Sequence, residues 1–87
     1  MKRRRMDFTP EETEWLLGAG FRRYTTTRNF LYELTDGVYG QFYISTTDDS
    51  QIERCFGFMS GRKRCVYAET PQEVYEKLKE MAIAEER

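Results

Sequence analysis

Two stretches of helical spacing flank a long run in which β-branched and aromatic residues dominate. Thr9-Pro10-Glu11-Glu12 opens the first helix. Thr9 caps it, Pro10 takes the first helical position, where a missing N–H costs nothing, and Glu12 is placed to close a capping box. Trp15, Leu16 and Leu17 follow, and Gly18-Ala19-Gly20 ends the helix with residues that tolerate a positive φ. The same signal returns at Thr70-Pro71-Gln72-Glu73. It launches a second helix in which Val74, Leu78 and Met81 recur at i, i+4 and i+7, with Tyr75 and Ala82 alongside. Residues 84–87 are expected to fray. The segments after the two helix starts differ, so the shared start is capping chemistry and not an internal repeat.

Between the helices the pattern predicts strands near Phe21–Thr26, Asn29–Leu34, Val38–Ser45, Ile52–Met59 and Arg64–Ala68. Asp36-Gly37 is the clearest hairpin signal. Thr46-Thr47-Asp48-Asp49-Ser50 reads as a polar loop, and Ser60-Gly61-Arg62-Lys63 as another turn. No helix separates the strands, so they must form an antiparallel meander. The expected fold is α+β: a four- to five-stranded antiparallel sheet with a helix at each end, in one domain over residues 1–87. Residues 1–7 form a basic, flexible tail in this reading.

A two-residue turn at Asp36-Gly37 would pair Thr35 with Val38, Leu31 with Phe42 and Asn29 with Ile44. The opposite face would carry Phe30 with Tyr43, Tyr32 with Gln41 and Leu34 with Tyr39. Two short helices cannot easily cover both faces. The expectation is that they cover Leu31, Val38, Phe42 and Ile44, leaving the tyrosine-rich face partly open. Tyr32, Tyr39, Gln41 and Tyr43 are then the candidate protein-binding residues, because tyrosine is amphipathic and has few rotors to freeze.

Composition narrows the function classes. With 87 residues, 39% apolar and 33% charged, the chain is globular in character. Lys and Arg number 14 against 15 Asp and Glu, so net charge points to no polyanionic partner. The charge is nevertheless uneven. Residues 1–68 hold 11 basic and 9 acidic side chains, and residues 69–87 hold 3 and 6. The basic clusters are Lys2–Arg5, Arg22-Arg23 with Arg28, and Arg62-Lys63-Arg64. These are the candidate contacts to phosphate or to an acidic partner, read against the commoner role of solvated faces and edge guards. No stretch approaches the roughly 20 apolar residues of a membrane span, and no apolar core of a signal peptide follows Lys2–Arg5. A cytoplasmic location without membrane contact is the expectation.

Histidine is absent, which removes Ser-His-Asp and Cys-His nucleophiles and nearly all zinc sites. Gly18-Ala19-Gly20 follows a helix and lacks a preceding strand, so it is a helix stop and not a dinucleotide loop. Asp48, Asp49 and Glu53 fit no calcium-loop spacing. The sequence therefore offers no catalytic residue, no metal ligand set and no cofactor motif. Cys55 and Cys65 are expected to be buried or half-buried free thiols in a reducing compartment, with a redox pair as the alternative. A three-residue loop at Met59–Gly61 would set them opposite each other, and a four-residue loop would separate them.

Arg54-Cys55-Phe56-Gly57-Phe58-Met59 is similar to the RNP1 strand of RRM domains, whose aromatic residues stack bases from one strand face. Cys55 stands where that motif has its first glycine, and Gly61 where it has its last aromatic. The β-α-β order is missing as well, so Phe56 and Phe58 are read as core. The element order is also similar to that of the double-stranded-RNA-binding domain. Glu69, Glu73, Glu76 and Glu80 on the last helix would repel the phosphates which that domain contacts, so neither family is assigned.

The functional expectation is a non-enzymatic protein-binding module. Its form would be a small regulator or inhibitor of the kind phages and mobile elements encode, blocking for example a host nuclease or defence complex. Association of two copies through the sheet is one way to use the same face. The alternative is a nucleic-acid binder acting through the basic tail and turn.

Overall fold

The computed structural model describes residues 8–25, 30–46 and 54–85. The basic tail at 1–7, Arg28 and the Asp48, Asp49 and Glu53 positions lie outside the described residues. Helix α1 (Pro10–Gly18) begins as its sequence dictates. Glu12 N–H donates to Thr9 Oγ1 and Thr9 N–H to Glu12 Oε1, which closes the capping box. Five strands follow: β1 (Arg22–Thr25), β2 (Phe30–Asp36), β3 (Gly40–Thr46), β4 (Cys55–Met59) and β5 (Cys65–Ala68). Helix α2 (Pro71–Glu85) closes the order, with Glu73 N–H donating to Thr70 Oγ1 at its start.

The strands form one antiparallel sheet in chain order, β1-β2-β3-β4-β5, the meander expected when no helix intervenes. The domain is α+β, with both described helices on one face of the sheet. Val74, Leu78 and Ala82 of α2 are fully buried against that face, together with Pro71 at the helix start. Met81, predicted to share the stripe, is only half-buried, and Ala82 takes the deeper position. α2 runs through Ala84 and Glu85, where Arg62 forms an ion pair with Glu85, and Glu86 and Arg87 lie outside the described residues. α1 contributes Leu16 to the core and packs on α2 through Trp15, whose ring lies 6.0 Å from that of Tyr75. Tyr75 in turn meets Phe42 at 5.5 Å and Phe21 at 5.3 Å. Phe8 packs edge-on to Tyr32 at 5.5 Å. The aromatic cluster thus joins both helices to the centre of the sheet.

The β2–β3 register corrects the sequence expectation. Asp36 pairs with Gly40, Leu34 with Phe42, Tyr32 with Ile44 and Leu31 with Ser45. Gly37, Val38 and Tyr39 form a three-residue loop in place of the two-residue turn. Asp36 Oδ1 accepts from the N–H groups of Val38 (2.7 Å) and Tyr39 (3.0 Å), and Gly40 takes φ 103°, a conformation that glycine adopts without steric cost. The slip is an odd number of residues, so every β2 side chain changes face relative to β3. Tyr32 is therefore core at 1% exposure, and Leu31 moves to the face away from the helices. Val38 is 72% exposed at the loop tip instead of beside the core.

Candidate functional site

Alternation along β3, β4 and β5 sorts two sets of side chains. Phe42, Ile44, Cys55, Met59 and Ala68 go under the helices, all buried. Gly57 belongs to the same row: a Cβ there would meet Val74 and Leu78 of α2. The alternate positions Gln41, Tyr43, Ser45, Phe56, Phe58, Cys65 and Tyr67 face the other way, paired across the strands as Tyr43 with Phe58 and Phe56 with Tyr67. No described helix packs on this second face.

Its principal feature is a ladder of four rings across three strands. Tyr43 stacks on Phe58 at 5.0 Å and 21°, Phe58 on Phe56 at 6.5 Å and 17°, and Phe56 lies 6.1 Å from Tyr67 at 34°. The Tyr43, Phe58 and Phe56 planes are near-parallel and the Tyr67 ring is tilted to them, so the four stand in a row across the strands. One end of the ladder is held by polar contacts: Tyr43 O–H donates to Gln41 Oε1 at 2.8 Å, and Gln41 Nε2 donates to Thr35 Oγ1 at 3.3 Å. Tyr43, Phe56 and Phe58 are half-buried, and Tyr67 is 38% exposed. Tyr24, on the same face of β1 opposite Leu31, is 48% exposed. Leu31 and Ser45 at the centre of this face are buried.

Two of the four predicted binding residues, Gln41 and Tyr43, meet on this face. The other two do not. Tyr32 lies in the core, and Tyr39 is part of the β2–β3 loop, half-buried against the core. Sequence reading assigned Phe56 and Phe58 to the core. The structure places them beside Tyr43, because Cys55, Gly57 and Met59 fill the helix-side positions of β4. The signal for this lay in the alternation of Cys-x-Gly-x-Met with Phe-x-Phe: only a glycine lets α2 approach the middle of the strand.

The basic residues scatter. Arg22 and Arg23 are exposed on β1, where Arg22 stands opposite Glu33 and the Arg23 guanidinium lies 6.0 Å from the Tyr32 ring. Arg62 is tied to Glu85, while Lys63 and Arg64 are exposed in the β4–β5 loop. Arg54 bonds Glu12, joining β4 to α1, and this contact raises the guanidinium further above its ordinary range.

The thiols are separated. Cys55 pairs with Ala68 and Cys65 with Phe58, so the two lie on opposite faces of the sheet, and both are free. Cys55 is buried, and burial pushes its thiol up to about 12. Cys65 is exposed, which corrects the expectation that both thiols would be at least half-buried. The β4–β5 loop runs through Ser60–Arg64, longer than either turn considered from sequence, with Gly61 at φ 82°.

Among the described residues no helix is long and apolar enough to cross a membrane. No protein-family model, no curated protein and no solved structure matches this chain.

Proposed function

We propose that this chain is a non-enzymatic protein-binding module whose contact surface is the ringed face of the sheet: Tyr43, Phe56, Phe58 and Tyr67, extended by Tyr24 and rimmed by Gln41. The observation that carries this reading is the ladder itself, four aromatic side chains aligned on a face that no described helix covers. Such a patch is costly in water, and aromatic residues dominate the binding energy of protein interfaces. Arg22 stands opposite Glu33 on this face and Arg62 is tied to Glu85, which favours a protein over the phosphates of a nucleic acid. A small regulator or inhibitor, acting by occupying a surface of a larger protein, is the form of function this reading gives.

The test compares capture from extract of the source cell by wild type and by the Tyr43→Ala/Tyr67→Ala variant, with nuclease treatment throughout. A protein retained by wild type after digestion and lost with the variant supports the reading. Capture that vanishes with nuclease assigns the face to nucleic acid. Capture that the variant retains removes the ladder as the contact surface.

A further inference from the structure

We propose that the outer edge of β5 pairs with β5 of a second copy of this chain, in a two-fold register that Lys77 holds in check. The inference goes beyond the ladder reading and stands on a different element. Backbone geometry fixes which groups the edge presents. Ser60 N–H donates to the Gln41 carbonyl at 3.0 Å, so the hydrogen-bonded pairs between β3 and β4 are Tyr43 with Phe58 and Ser45 with Phe56. Cys55 and Gly57 therefore turn their backbone groups the other way, toward Ala68 and Val66 of β5. Alternation leaves the N–H and C=O of Cys65 and Tyr67 on the outer side, where among the described residues no strand pairs with them. One of these four groups is engaged. Lys77 Nζ, reaching over from α2, donates to the Tyr67 carbonyl at 2.8 Å.

The sequence of β5 selects a second copy as the occupant. Within the strand, one antiparallel register of β5 against itself uses all four outward groups: Cys65 pairs with Tyr67 twice over, and Val66 meets Val66 on the two-fold axis. Cys65, Val66, Tyr67 and Ala68 include no lysine, arginine or carboxylate, so the pairing sets no like charges opposite each other. A lone foreign strand gains only the hydrogen bonds of a four-residue edge, and short two-stranded pairing is marginal by itself. A second copy adds α2, which packs on β4 and β5 and is set antiparallel to the first α2 across the seam. Lys77 and Met81 lie one turn apart on the side of α2 that reaches the β5 edge, and Met81 is only half-buried. Glu73 lies one turn before Lys77, so antiparallel helices bring each lysine within a turn of the other copy's glutamate. The register needs the Tyr67 carbonyl to accept from Cys65 N–H of the second copy, and Lys77 occupies that acceptor. Lysine at a sheet edge suppresses pairing of this kind. Self-association therefore exchanges the Lys77 hydrogen bond for a backbone one.

Sedimentation equilibrium of the full chain reads the association, with reductant present so that Cys65 does not crosslink copies. Lys77→Met keeps the apolar stem and loses the donor. The expected result is a Lys77→Met dimer, with wild type associating roughly tenfold more weakly, the scale of one hydrogen bond. Amide exchange at Cys65 and Tyr67, whose N–H groups point outward in the monomer, should slow as the dimer forms. Cys65→Pro removes an outward donor at the first position of an edge strand, where proline is tolerated, and should abolish the dimer, its fold verified from the amide spectrum. Where the proline variant fails to fold, exchange at Cys65 and Tyr67 in Lys77→Met decides. Tyr43→Ala should associate as wild type does, so failure of the ladder reading leaves this result readable. A Lys77→Met variant that stays monomeric at millimolar concentration, equal association of Lys77→Met and wild type, or unchanged exchange at Cys65 and Tyr67 overturns the proposal. Association kept by Cys65→Pro and lost with Tyr43→Ala overturns it in favour of pairing through the ladder.

Discussion

Val74 Cγ1 lies 2.5 Å from where a methyl group on Gly57 would sit, and the Tyr43 carbonyl oxygen lies 2.8 Å from the same point. Glycine at this position of β4 is what lets α2 rest on the middle of the sheet. Gly57→Ala should destabilise the protein by roughly 1–3 kcal/mol, the usual range for overpacking. Val74→Ala should cost less in the Gly57→Ala background than in wild type, because there it relieves the side-chain clash while leaving the carbonyl. Thermal denaturation of the two single variants and the double variant measures the coupling. Simple additivity would show that α2 does not bear on Gly57.

The tyrosines separate by face. Tyr32→Ala opens a cavity under Phe8 and the helices and should cost roughly 3–5 kcal/mol, as large aromatic truncations in cores do. Tyr67→Ala, at 38% exposure, should cost within about 1 kcal/mol. Denaturant midpoints at constant m-value give both numbers. The reverse order would mean that the β2–β3 pairing is shifted.

The β2–β3 loop makes its own prediction. Gly40 holds φ 103°, so Gly40→Ala should cost roughly 1–2 kcal/mol through backbone strain alone. Asp36, accepting from the Val38 and Tyr39 amides, should titrate below the ordinary carboxylate value of 3.8. Those hydrogen bonds favour the ionised form. The contribution of Asp36 to stability is therefore present above the ordinary value and lost as pH falls through the lowered one. An NMR titration of the Asp36 carboxyl carbon reads it directly.

The two thiols should react unequally. A thiol reagent at mildly alkaline pH should label Cys65 in the native protein and reach Cys55 only after denaturant is added. Reductant should leave the melting temperature unchanged, since neither thiol is bridged. Burial raises the Cys55 thiol from 9.0 to about 12. Between those values the unfolded chain releases a proton that the folded chain keeps, so stability falls as pH rises through this window. Wild type should therefore lose stability with pH more steeply than Cys55→Ala does.

Local chemistry determined the helices and the order of elements. Thr9 and Thr70, each followed by proline and a glutamate at the third helical position, specify helix starts through contacts within four residues. The absence of any helix-forming stretch between the strands leaves an antiparallel meander as the only connection, and the five-stranded sheet follows. What tertiary structure decided is which side chains share a face. A strand has period two, so a turn longer by one residue exchanges core for surface along its whole length. Asp36-Gly37 and Gly40 offered two loops of different length, and nothing local chose between them. Burial of Tyr32 beside Ile44, with Leu34 half-buried beside Phe42, did. The ladder has the same origin. Phe56 and Phe58 are the most apolar residues of β4 and by hydrophobicity belong inside, yet a phenylalanine in place of Gly57 would hold α2 off the sheet. Close approach of helix to strand required the small residue inward, and the rings were left on the other face.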